Sequence, residues 1–355
     1  MTGACPMNLK QLSQHLGLSQ TTVSRALNGY PEVSEKTRLR VLEAARRLGY
    51  SPNLRAKGLA TGRTMVIGHV IPVTEKHDMV NPVFGDFLAG AGDSYRRAGF
   101  DMLISMVDDA DQESVYRALQ SRGQVDGLIL HGPKMRDPRI ALLQELGLPF
   151  VVHGRASHMG GGYAWVDMDN RRAFDRATDL LISMGHRRIA LINGQEQMDF
   201  AFRRREGYVA ALTRAGLTPD PAIMRNDEMT ETLGHRAARA MLRGPNPPTA
   251  FLAASIIIAI GIRRAIEEHG LQMGRDVSVI THDDCLSYLP NGGDAPVFTA
   301  TRSSVREAGR ICANLVIDMI QKGTPPAEHL LEAQLVLGRS TGPANAHAMM
   351  EGRHA

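Results

Sequence analysis

From residue 65 onward, the sequence alternates short apolar runs with longer amphipathic segments, and this alternation restricts the fold more than any other feature. The apolar runs cover residues 65–71, 100–106, 127–130, 150–152, 188–192, 250–254 and 277–280. Helical segments lie between them, among them residues 84–98, 171–184, 204–215, 232–243, 257–269 and 305–321. Continuous apolar strands separated by helices are typical of parallel sheets that are covered by helices on both faces. The sequence therefore predicts an α/β body with parallel sheets, which bind ligands at the carboxyl ends of their strands.

The positive charge of the chain is concentrated before this body. Residues 1–62 contain nine lysines and arginines against three acidic residues, a net charge of +6, whereas the remaining residues carry −2. A basic segment next to a near-neutral body is typical of a polyanion-binding module attached to a domain with another role. From charge alone, a basic surface that is merely solvated explains the composition equally well.

Residues 9–49 carry the spacing and capping signals of three short helices. The first helix repeats its leucines at helical spacing, at positions Leu9, Leu12 and Leu16. Gly17 ends this helix, and Ser19 is a suitable N-cap for a second helix over residues 20–27, because its hydroxyl can accept from free backbone N–H groups. The third helix follows another N-cap serine, and its inward face is expected to hold Leu39, Leu42, Ala45 and Leu48. Two short helices around a glycine turn, backed by a third, predict a helix-turn-helix unit.

Polar side chains at the start of the second helix suit the reading of base edges in the major groove. Gln20 can both donate to and accept from an adenine edge, and Arg25 can bind guanine or a phosphate. The alternative is a three-helix interaction domain that binds no nucleic acid.

These residues also resemble a known family. The stretch 9–28, followed by residues 33–38 and 48–53, closely resembles the head of the lactose-repressor (LacI–GalR) family of bacterial transcription regulators, and the similarity extends through nearly the whole chain. The resemblance implies a sequence-specific DNA-binding regulator, expected to be a repressor, of genes for carbohydrate uptake and catabolism. It also implies a homodimer on a pseudo-palindromic double-stranded operator. The candidate DNA contacts are Ser19, Gln20, Thr21, Thr22, Ser24, Arg25, Asn28, Asn53 and Leu59.

Residues 51–63 connect the predicted head to the body. The helical stretch within them, residues 54–60, is too short for a stable isolated helix, and Gly58 costs about 1 kcal/mol relative to alanine. The segment is therefore expected to be mostly unfolded unless a partner orders it, and a plain linker is the alternative. The family resemblance implies a hinge helix that folds on DNA and inserts Leu59 through the minor groove.

The resemblance also implies a domain layout, in which a small sugar binds in the cleft of a two-lobed body like that of periplasmic sugar-binding proteins. The expected domains are the helix-turn-helix domain at 1–50, the hinge at 51–63, the ligand-binding and dimerisation domain at 64–341 and a flexible tail at 342–355. The first lobe is expected at about 64–165 and 298–326, and the second at about 166–297 and 327–341. Three crossovers between the lobes are expected near 164–167, 295–300 and 324–328.

Six residues of the body are candidate ligand contacts, namely Phe84, His153, Arg155, Arg204, Ser255 and Asp283. Phe84 lies in the segment that follows the first strand, where the resemblance implies an apolar wall. Arg204 matches the family's arginine for sugar hydroxyls, and a planar guanidinium suits paired oxygens. Asp283 matches a carboxylate that accepts from sugar hydroxyls, with a turn or cap role as the alternative.

Two departures from the family pattern concern the ligand pocket. The family usually has Asn-Asp after the strand at 250–254, where this chain has Ser255 and Ile256. An aspartate usually ends the strand at 150–152, where this chain has His153, a glycine and Arg155. Ser255, His153 and Arg155 are therefore candidate replacements for the lost polar contacts. Residues 151–155, 281–284 and 299–304 together resemble a subgroup associated with α-glucoside regulation.

Other classes of protein fit the sequence less well. A transport-type sugar-binding protein shares the body, but it would need a signal peptide, and residues 1–7 show no charged segment followed by an apolar one. An enzyme is the other alternative, because residues 282–285 contain a histidine, two carboxylates and a thiol. A short loop cannot easily direct all four groups at one atom, and the chain has neither a phosphate-binding loop motif nor a dinucleotide fingerprint.

The remaining expectations concern cofactors and location. The three cysteines are scattered and suit neither a disulfide framework nor a zinc site. The longest apolar run, residues 251–262, is too short to cross a bilayer. We therefore expect a cytoplasmic protein that is not an enzyme, has no cofactor and binds no metal or membrane.

Overall fold

The computed structural model describes residues 7–27, 29–50, 63–72, 82–108, 111–282 and 285–344. The chain divides into two compact units, Met1–Met65 and Val66–Ala355, which we call the head and the body. The predicted hinge, apart from Arg63, and the predicted tail beyond residue 344 lie outside the described residues.

The head contains three short helices whose ends are fixed by local caps. They are α1 (Leu9–Leu16), α2 (Gln20–Leu27) and α3 (Glu35–Arg47). Asn8 and Gln11 form a capping box at the start of α1, in which each side chain accepts from the backbone N–H of the other residue at 2.9 Å. Gly17 ends α1 in the left-handed conformation, and Ser34 caps α3 by accepting from the N–H of Thr37 at 3.3 Å. The three predicted helices are therefore confirmed.

The helices of the head enclose an apolar core of their own. Its largest members are Leu12 and Leu16, followed by Val23, Val33 and Val41. Leu39, which was expected to face inward, is 59% exposed. Successive residues of a helix are rotated by about 100°, so Leu39 lies on the side of α3 opposite to Val41 and Ala45, which are buried. The prediction for Leu39 is wrong because the side of α3 that contains Val41 and Ala45 packs against the core, and Leu39 lies on the other side.

The body is built from strands and helices that alternate along the chain. The strands are β1 (Val66–Pro72), β2 (Asp101–Val107), β3 (Gly127–His131), β4 (Phe150–His153), β5 (Ala164–Met168), β6 (Ile189–Asn193), β7 (Met224–Asn226), β8 (Ala250–Ala253), β9 (Ser278–His282), β10 (Thr299–Arg302), β11 (Glu328–Leu331) and β12 (Gln334–Val336). The helices are α4 (Pro82–Ala98), α5 (Gln112–Ser121), α6 (Pro138–Leu146), α7 (Asn170–Ser183), α8 (Asp199–Arg214), α9 (Glu231–Leu242), α10 (Ile256–Glu268) and α11 (Val305–Lys322). Each apolar run that the sequence marks as a strand coincides with one of these strands to within two residues at either end.

Two sheets divide the described part of the body into two lobes. The sheet of lobe 1 has the strand order β11-β5-β4-β3-β1-β2, and that of lobe 2 has the order β12-β10-β9-β8-β6-β7. Neighbouring strands are parallel, except for the antiparallel pair β10 and β12. The predicted α/β class with parallel sheets is therefore confirmed, and within each sheet the parallel strands direct their carboxyl ends to the same edge.

The pairing of three short strands shows where the chain crosses between the lobes, and these positions differ from the expected ones. β5 pairs with β4 in lobe 1, β10 pairs with β9 in lobe 2, and β11 returns to lobe 1 beside β5. The chain therefore changes lobe after residues 168, 302 and 331, so the expected boundaries near 165, 298 and 327 lie a few residues too early. β10 and β11 escape the apolar-run pattern because they contain polar residues such as Thr299 and Glu328.

Close helix packing fixes the two helices that follow the first strand of each lobe. A Cβ atom on Gly90 of α4 would lie 1.9 Å from the carbonyl oxygen of Arg306 at the start of α11. A Cβ atom on Gly207 of α8 would lie 2.0 Å from the carbonyl oxygen of Arg171 in α7. Such distances are far below van der Waals contact, so only glycine lets these backbones meet. The contacts hold α4 and α8 firmly against their lobes.

Candidate functional site

The polar side of α2 faces outward because its apolar side is buried in the core of the head. Val23 and Ala26 are 0% and 1% exposed. Gln20, Thr21 and Arg25 are exposed on the remainder of the helix. An amide, a hydroxyl and a guanidinium on one exposed helix face supply the donors and acceptors that base reading requires.

The other candidate DNA contacts of the head divide into two groups. Ser19 caps α2, because its hydroxyl accepts from the N–H of Thr22 at 3.0 Å and is hydrogen-bonded to the hydroxyl of Thr22 at 2.8 Å. Ser24 is half-buried on the same helix. The remaining three lie outside the described residues: Asn28, Asn53 and Leu59.

Hydrogen bonds join the two lobes of the body through loops and helices that follow strand ends. Asp199, the first residue of α8 in lobe 2, accepts from the backbone N–H of Ser157 in lobe 1 at 2.6 Å and from the Ser157 hydroxyl. The N–H of Asp199 donates to the carbonyl of Pro133 in lobe 1 at 3.0 Å. A second contact joins Asp86 of α4 to lobe 2, where the N–H and the hydroxyl of Ser287 both donate to its carboxylate at 2.6 Å.

Lobe 1 contributes a cluster of aromatic and imidazole rings to the carboxyl edge of its sheet. His131 and His153 are the last residues of β3 and β4, and they are partners in the sheet register. The ring of Phe84 lies 5.1 Å from that of His131, edge to face. The ring of Phe87 lies 4.9 Å from that of His131 and 4.3 Å from that of His153. The rings of Phe84, Phe87, His131 and His153 therefore form one cluster at the carboxyl edge of the lobe 1 sheet.

A buried hydrogen-bond chain extends from this cluster into lobe 1. Nε2 of His131 lies 3.0 Å from Nδ1 of His69, and Nε2 of His69 lies 3.0 Å from the hydroxyl oxygen of Tyr95. Burial, together with the nearby His153, lowers the pKa of His69 to about 3. Burial also holds the pKa of His131 well below its ordinary value. Both imidazoles of the chain are therefore neutral at pH 7.

Arg155 is held by an aspartate that the sequence pattern did not single out. Nε of Arg155 donates to Oδ2 of Asp167 at 2.8 Å, and its guanidinium carbon lies 5.2 Å from the ring centroid of Trp165. Oδ1 of Asp167 accepts from Nδ2 of Asn170 at 3.3 Å. Burial raises the pKa of Asp167 to about 6, although the positive charges of Arg155 and Arg203 oppose this shift.

Arg204 is a buried arginine whose position is fixed within lobe 2. Its side chain is 5% exposed, and Nε donates to Oδ1 of Asn170 at 2.8 Å. One terminal nitrogen donates to the carbonyl of Ala254 at 2.8 Å. The guanidinium carbon lies 4.8 Å from the ring centroid of Phe200 and 5.3 Å from that of Phe174. A guanidinium held on several sides presents a planar donor array at low entropic cost.

Ser255 lies next to Arg204 but has a structural role of its own. It caps α10 by accepting from the N–H of Ile258 at 3.3 Å, and it is 3% exposed. The residue before it, Ala254, supplies the carbonyl to which Arg204 donates. The structure thus brings these two predicted residues together at the end of β8.

The described candidate ligand residues all lie at strand ends or on the helices that follow them, whereas Asp283 lies outside the described residues. Sequence reasoning missed His131, Asp167 and Asp199. The first two carried a usable signal, because each is a polar residue in the last two positions of an otherwise apolar strand. Asp199 carried no such signal, since its partner Ser157 is 42 residues away in the chain.

Neither a metal centre nor a membrane helix is found among the described residues. They contain no group of three or more histidine, cysteine, aspartate or glutamate side chains that could hold a metal ion. None of their helices is long and apolar enough to cross a membrane.

Comparison with known proteins identifies the family. Residues 64–336 match the family described as periplasmic binding proteins and sugar binding domain of the LacI family. Residues 9–53 match the family described as bacterial regulatory proteins, lacI family. The chain belongs to the LacI family. The resemblance inferred from the sequence is thereby confirmed.

Relatives of this LacI-family protein are named as transcription regulators. The HTH-type transcriptional regulator AglR of Rhizobium meliloti is 46% identical over 340 residues, which cover 96% of this chain and 95% of AglR. The HTH-type transcriptional regulator RafR of Escherichia coli is 35% identical over 326 residues, which cover 90% and 94% of the two chains.

Solved structures of the LacI family share the fold. The lac repressor dimer bound to operator and the anti-inducer ONPF is 25% identical with a TM-score of 0.79, and the match covers 95% of this chain and all of that one. The complex of the transcriptional regulator CelR with cellobiose is 29% identical with a TM-score of 0.69, and the match covers 94% and 99% of the two chains. The protein is therefore a DNA-binding transcription regulator with a helix-turn-helix head and a sugar-binding body.

Proposed function

We propose that this regulator represses genes for the uptake and catabolism of α-glucosides, and that an α-linked glucose disaccharide bound between the lobes controls its affinity for operator DNA. The observation that carries the sugar site is the buried Arg204 of lobe 2, which donates to Asn170 and to the Ala254 carbonyl. The ring cluster at the carboxyl edge of the lobe 1 sheet supplies the aromatic surface of the proposed site. Planar donors for paired hydroxyls and aromatic rings for the apolar face of a pyranose are the groups that sugars require.

The choice of an α-glucoside rests on the sequence. Residues 151–155, 281–284 and 299–304 resemble those of regulators of α-glucoside genes. The cellobiose named in the CelR complex supports a cleft of disaccharide size in this fold. We assign ligand contacts to Phe84, His153, Arg155, Arg204, Ser255 and Asp283.

The head is proposed to read a pseudo-palindromic operator as part of a homodimer, in keeping with the lac repressor, which is a dimer in its complex with operator. Gln20, Thr21 and Arg25 are exposed on α2, whose start is fixed by the hydroxyl pair of Ser19 and Thr22. We assign base and backbone contacts to these residues and to Ser24, Asn28 and Asn53, and the minor-groove wedge to Leu59.

The protein is proposed to act by binding alone, in the cytoplasm, without catalysis, metal or cofactor. The sugar can change operator affinity only by its differential affinity for the two arrangements of the lobes, typically about 1–3 kcal/mol. We assign the contacts of Asp199 with Ser157 and of Asp86 with Ser287 to the closed arrangement.

A sugar panel tests the ligand. The melting temperature of the full chain would be measured with maltose, trehalose and sucrose as α-glucosides, and with cellobiose and lactose as β-linked controls. Binding raises stability by about 2.7 kcal/mol at a concentration of 100 times Kd, so we expect a rise of several degrees with at least one α-glucoside. A rise with cellobiose or lactose alone would contradict the assignment.

An operator assay tests the head. Arg25→Ala should cost about 1–3 kcal/mol and relax the preference at one base pair, because a bidentate arginine reads one base. Arg46→Ala, which removes an exposed arginine of α3, is the matched control and should weaken binding equally on all sequences. If Arg25→Ala also weakens binding equally on all sequences, Arg25 contacts phosphate only.

A further inference from the structure

One buried nitrogen at the edge of lobe 1 lacks a hydrogen-bond partner. Nδ1 of His131 is inaccessible to solvent and has no partner among the residues that the structure describes. A buried polar group without a partner lowers the stability of the folded protein, because it has lost its hydrogen bonds to water. Native proteins keep such groups rarely, and a ligand that completes the bond is one physical reason to keep one.

The number of protons on Tyr95, His69 and His131 determines whether Nδ1 of His131 is a donor or an acceptor. Tyr95 and two neutral imidazoles carry three protons, and the two observed hydrogen bonds use two of them. The third proton must lie at one end, either on Nδ1 of His131 or on the hydroxyl of Tyr95. Low pKa values exclude a doubly protonated imidazole in the middle.

The arrangement with the third proton on Nδ1 of His131 leaves fewer buried polar groups without a hydrogen-bond partner. If Tyr95 donates to His69 and His69 donates to His131, the only unpaired donor of these three side chains within the described residues is the N–H at Nδ1 of His131. In the reverse arrangement the Tyr95 hydroxyl has no acceptor among those residues, although Tyr95 is 1% exposed, and Nδ1 of His131 is left as an unpaired acceptor as well. Each unsatisfied buried group destabilises the protein, so Tyr95 donates to His69 and His69 donates to His131.

The direction of the open N–H follows from the sheet register. His69 is the partner of Ile129, which lies two residues before His131 in β3. Nε2 of His131 therefore faces back along the strand toward His69. The two nitrogens of an imidazole ring point in different directions, so Nδ1 faces away from His69, and the rings of Phe84 and His153 also pack against the His131 ring.

We propose that Tyr95, His69 and His131 form a fixed hydrogen-bond chain that holds the His131 proton on Nδ1 and offers this N–H to a hydroxyl or ring oxygen of the bound sugar. The inference rests on the proposed sugar site and deepens it by naming a donor from lobe 1. His131 contacts the ligand, whereas Tyr95 and His69 are positioning residues. The chain selects a ligand that presents an oxygen acceptor at this point and rejects one that presents an ammonium group.

The position of the proton is measurable without any ligand. The full chain would be labelled with ¹⁵N-histidine, and long-range proton–nitrogen correlation spectra would be recorded at pH 7, with the His131 signals assigned through a His131→Gln variant. We expect His131 to carry its proton on Nδ1. A proton on Nε2 would overturn the proposal whatever the ligand is.

Two matched variants separate the chain from general packing. Tyr95→Phe removes the first donor and should release the fixed tautomer of His131. Tyr116→Phe removes a hydroxyl from an equally buried tyrosine of lobe 1 that is not part of the chain, and it should leave the His131 signals unchanged. A His131 spectrum that is the same in Tyr95→Phe as in the wild type would contradict the positioning role.

Maltose then tests the contact itself. Addition of maltose should shift the Nδ1 proton signal of His131, and Tyr95→Phe should bind maltose about three- to tenfold more weakly than Tyr116→Phe, the loss of one net hydrogen bond. Bound maltose that leaves the His131 signal in place would overturn the donor role. If maltose does not bind at all, the melting temperature stays unchanged, and this result counts against the proposed ligand. The position of the His131 proton tests the hydrogen-bond chain independently of that result.

Discussion

The two lobes carry different chemistry at the carboxyl edges of their sheets. Lobe 2 contains Arg204, whose guanidinium donates to Asn170 and to the Ala254 carbonyl and packs over two phenylalanine rings. Lobe 1 presents a ring cluster that ends in His131, whose Nδ1 has no partner among the described residues. Arg204 is held by hydrogen bonds within lobe 2, whereas the hydrogen-bond chain of lobe 1 ends at Nδ1 of His131.

Lobe 2 also leaves one buried polar atom open, and the difference between the two atoms indicates the kind of ligand. Oδ1 of Asn193, the last residue of β6, has no partner in the described part of the chain, while its Nδ2 donates to the carbonyl of Ala201 at 2.8 Å. At the carboxyl ends of β3 and β6, His131 thus leaves a donor open and Asn193 an acceptor. A hydroxyl both donates and accepts, so a polyhydroxylated neutral ligand suits this pair better than an ion of either sign.

The largest expected effect concerns Arg204 in lobe 2. Arg204→Ala should weaken maltose binding by about 100-fold or more, because it removes a buried charged donor and leaves its polar partners unsatisfied. Isothermal titration calorimetry measures the change. The matched control is Arg205→Ala, since Arg205 is the next residue in α8 but is exposed and pairs with Glu196 at 3.6 Å. Equal losses in both variants would show that charge, and not the position of Arg204, explains binding.

The close helix contacts at Gly90 in lobe 1 and Gly207 in lobe 2 should contribute equally to stability, although the proposed ligand residues of the two lobes differ. Gly90→Ala in lobe 1 and Gly207→Ala in lobe 2 should each lower the free energy of unfolding by about 3 kcal/mol, because each new Cβ meets a backbone carbonyl at 2.0 Å or less. Chemical denaturation measures this. Gly92→Ala on α4 is the control, since its Cβ would meet only the end of Met102 at 3.8 Å, and it should be neutral or slightly stabilising. A strong effect in only one lobe would show that the lobes differ in rigidity as well as in chemistry.

A pH dependence is expected from lobe 1. Burial raises the pKa of Asp167 from 3.8 to about 6, so between about pH 4 and pH 6 the native state binds a proton that the unfolded state has released. The stability from this group is full below about pH 4 and is lost as the pH rises to 6, a difference of about 2–3 kcal/mol. Asp167→Asn should remove this decline from the unfolding free energy.

Asp169→Asn provides the control for that pH profile. Asp169 caps α7 by accepting from the N–H of Arg172 at 3.0 Å, a role that asparagine also performs. This variant should keep the wild-type decline between pH 4 and pH 6. A decline that persists in Asp167→Asn would place its origin in another group.

The smallest expected effect concerns the contact between the lobes. Ser157→Ala removes the hydroxyl that donates to Asp199 across the cleft and leaves the backbone bond in place. The closed arrangement should lose about 1 kcal/mol, so maltose should bind about fivefold more weakly. Ser183→Ala removes a hydroxyl that donates within α7, to the carbonyl of Leu180, and should leave maltose affinity unchanged. Identical affinities for the two variants would mean that this contact does not contribute to closure.

Local signals explain why so much of the fold is predictable from the sequence. The helices of the head start and end at residues whose side chains or backbone conformation act within four positions, such as Ser19 and Gly17. The inner parallel strands of the body, such as β3, β6 and β9, are buried on both faces and therefore read as continuous apolar runs. β10 and β11 depart from this rule because they carry polar residues, and Leu39 shows that an apolar residue on a helix does not by itself reveal the buried side.

The site was predictable only in part, because its decisive contacts are distant in the chain. His69 and His131 are 62 residues apart, and their hydrogen bond depends on the register of β1 and β3. Asp86 and Ser287 are 201 residues apart, and their hydrogen bond depends on how the two lobes pack together. Arg204 was identified because a family motif marks it, whereas the partners that fix it are visible only in the fold.

The most direct test is the coupling between cleft and operator. Operator affinity of the full chain would be measured at constant salt with and without saturating maltose, for the wild type, Arg204→Ala and Arg205→Ala. We expect maltose to change the affinity by a factor of about 5–150 in the wild type and in Arg205→Ala, with the direction of the change separating induction from corepression. Arg204→Ala should bind the operator like the ligand-free wild type and should not respond to maltose. A full response in Arg204→Ala would contradict a sugar site between the lobes at this arginine.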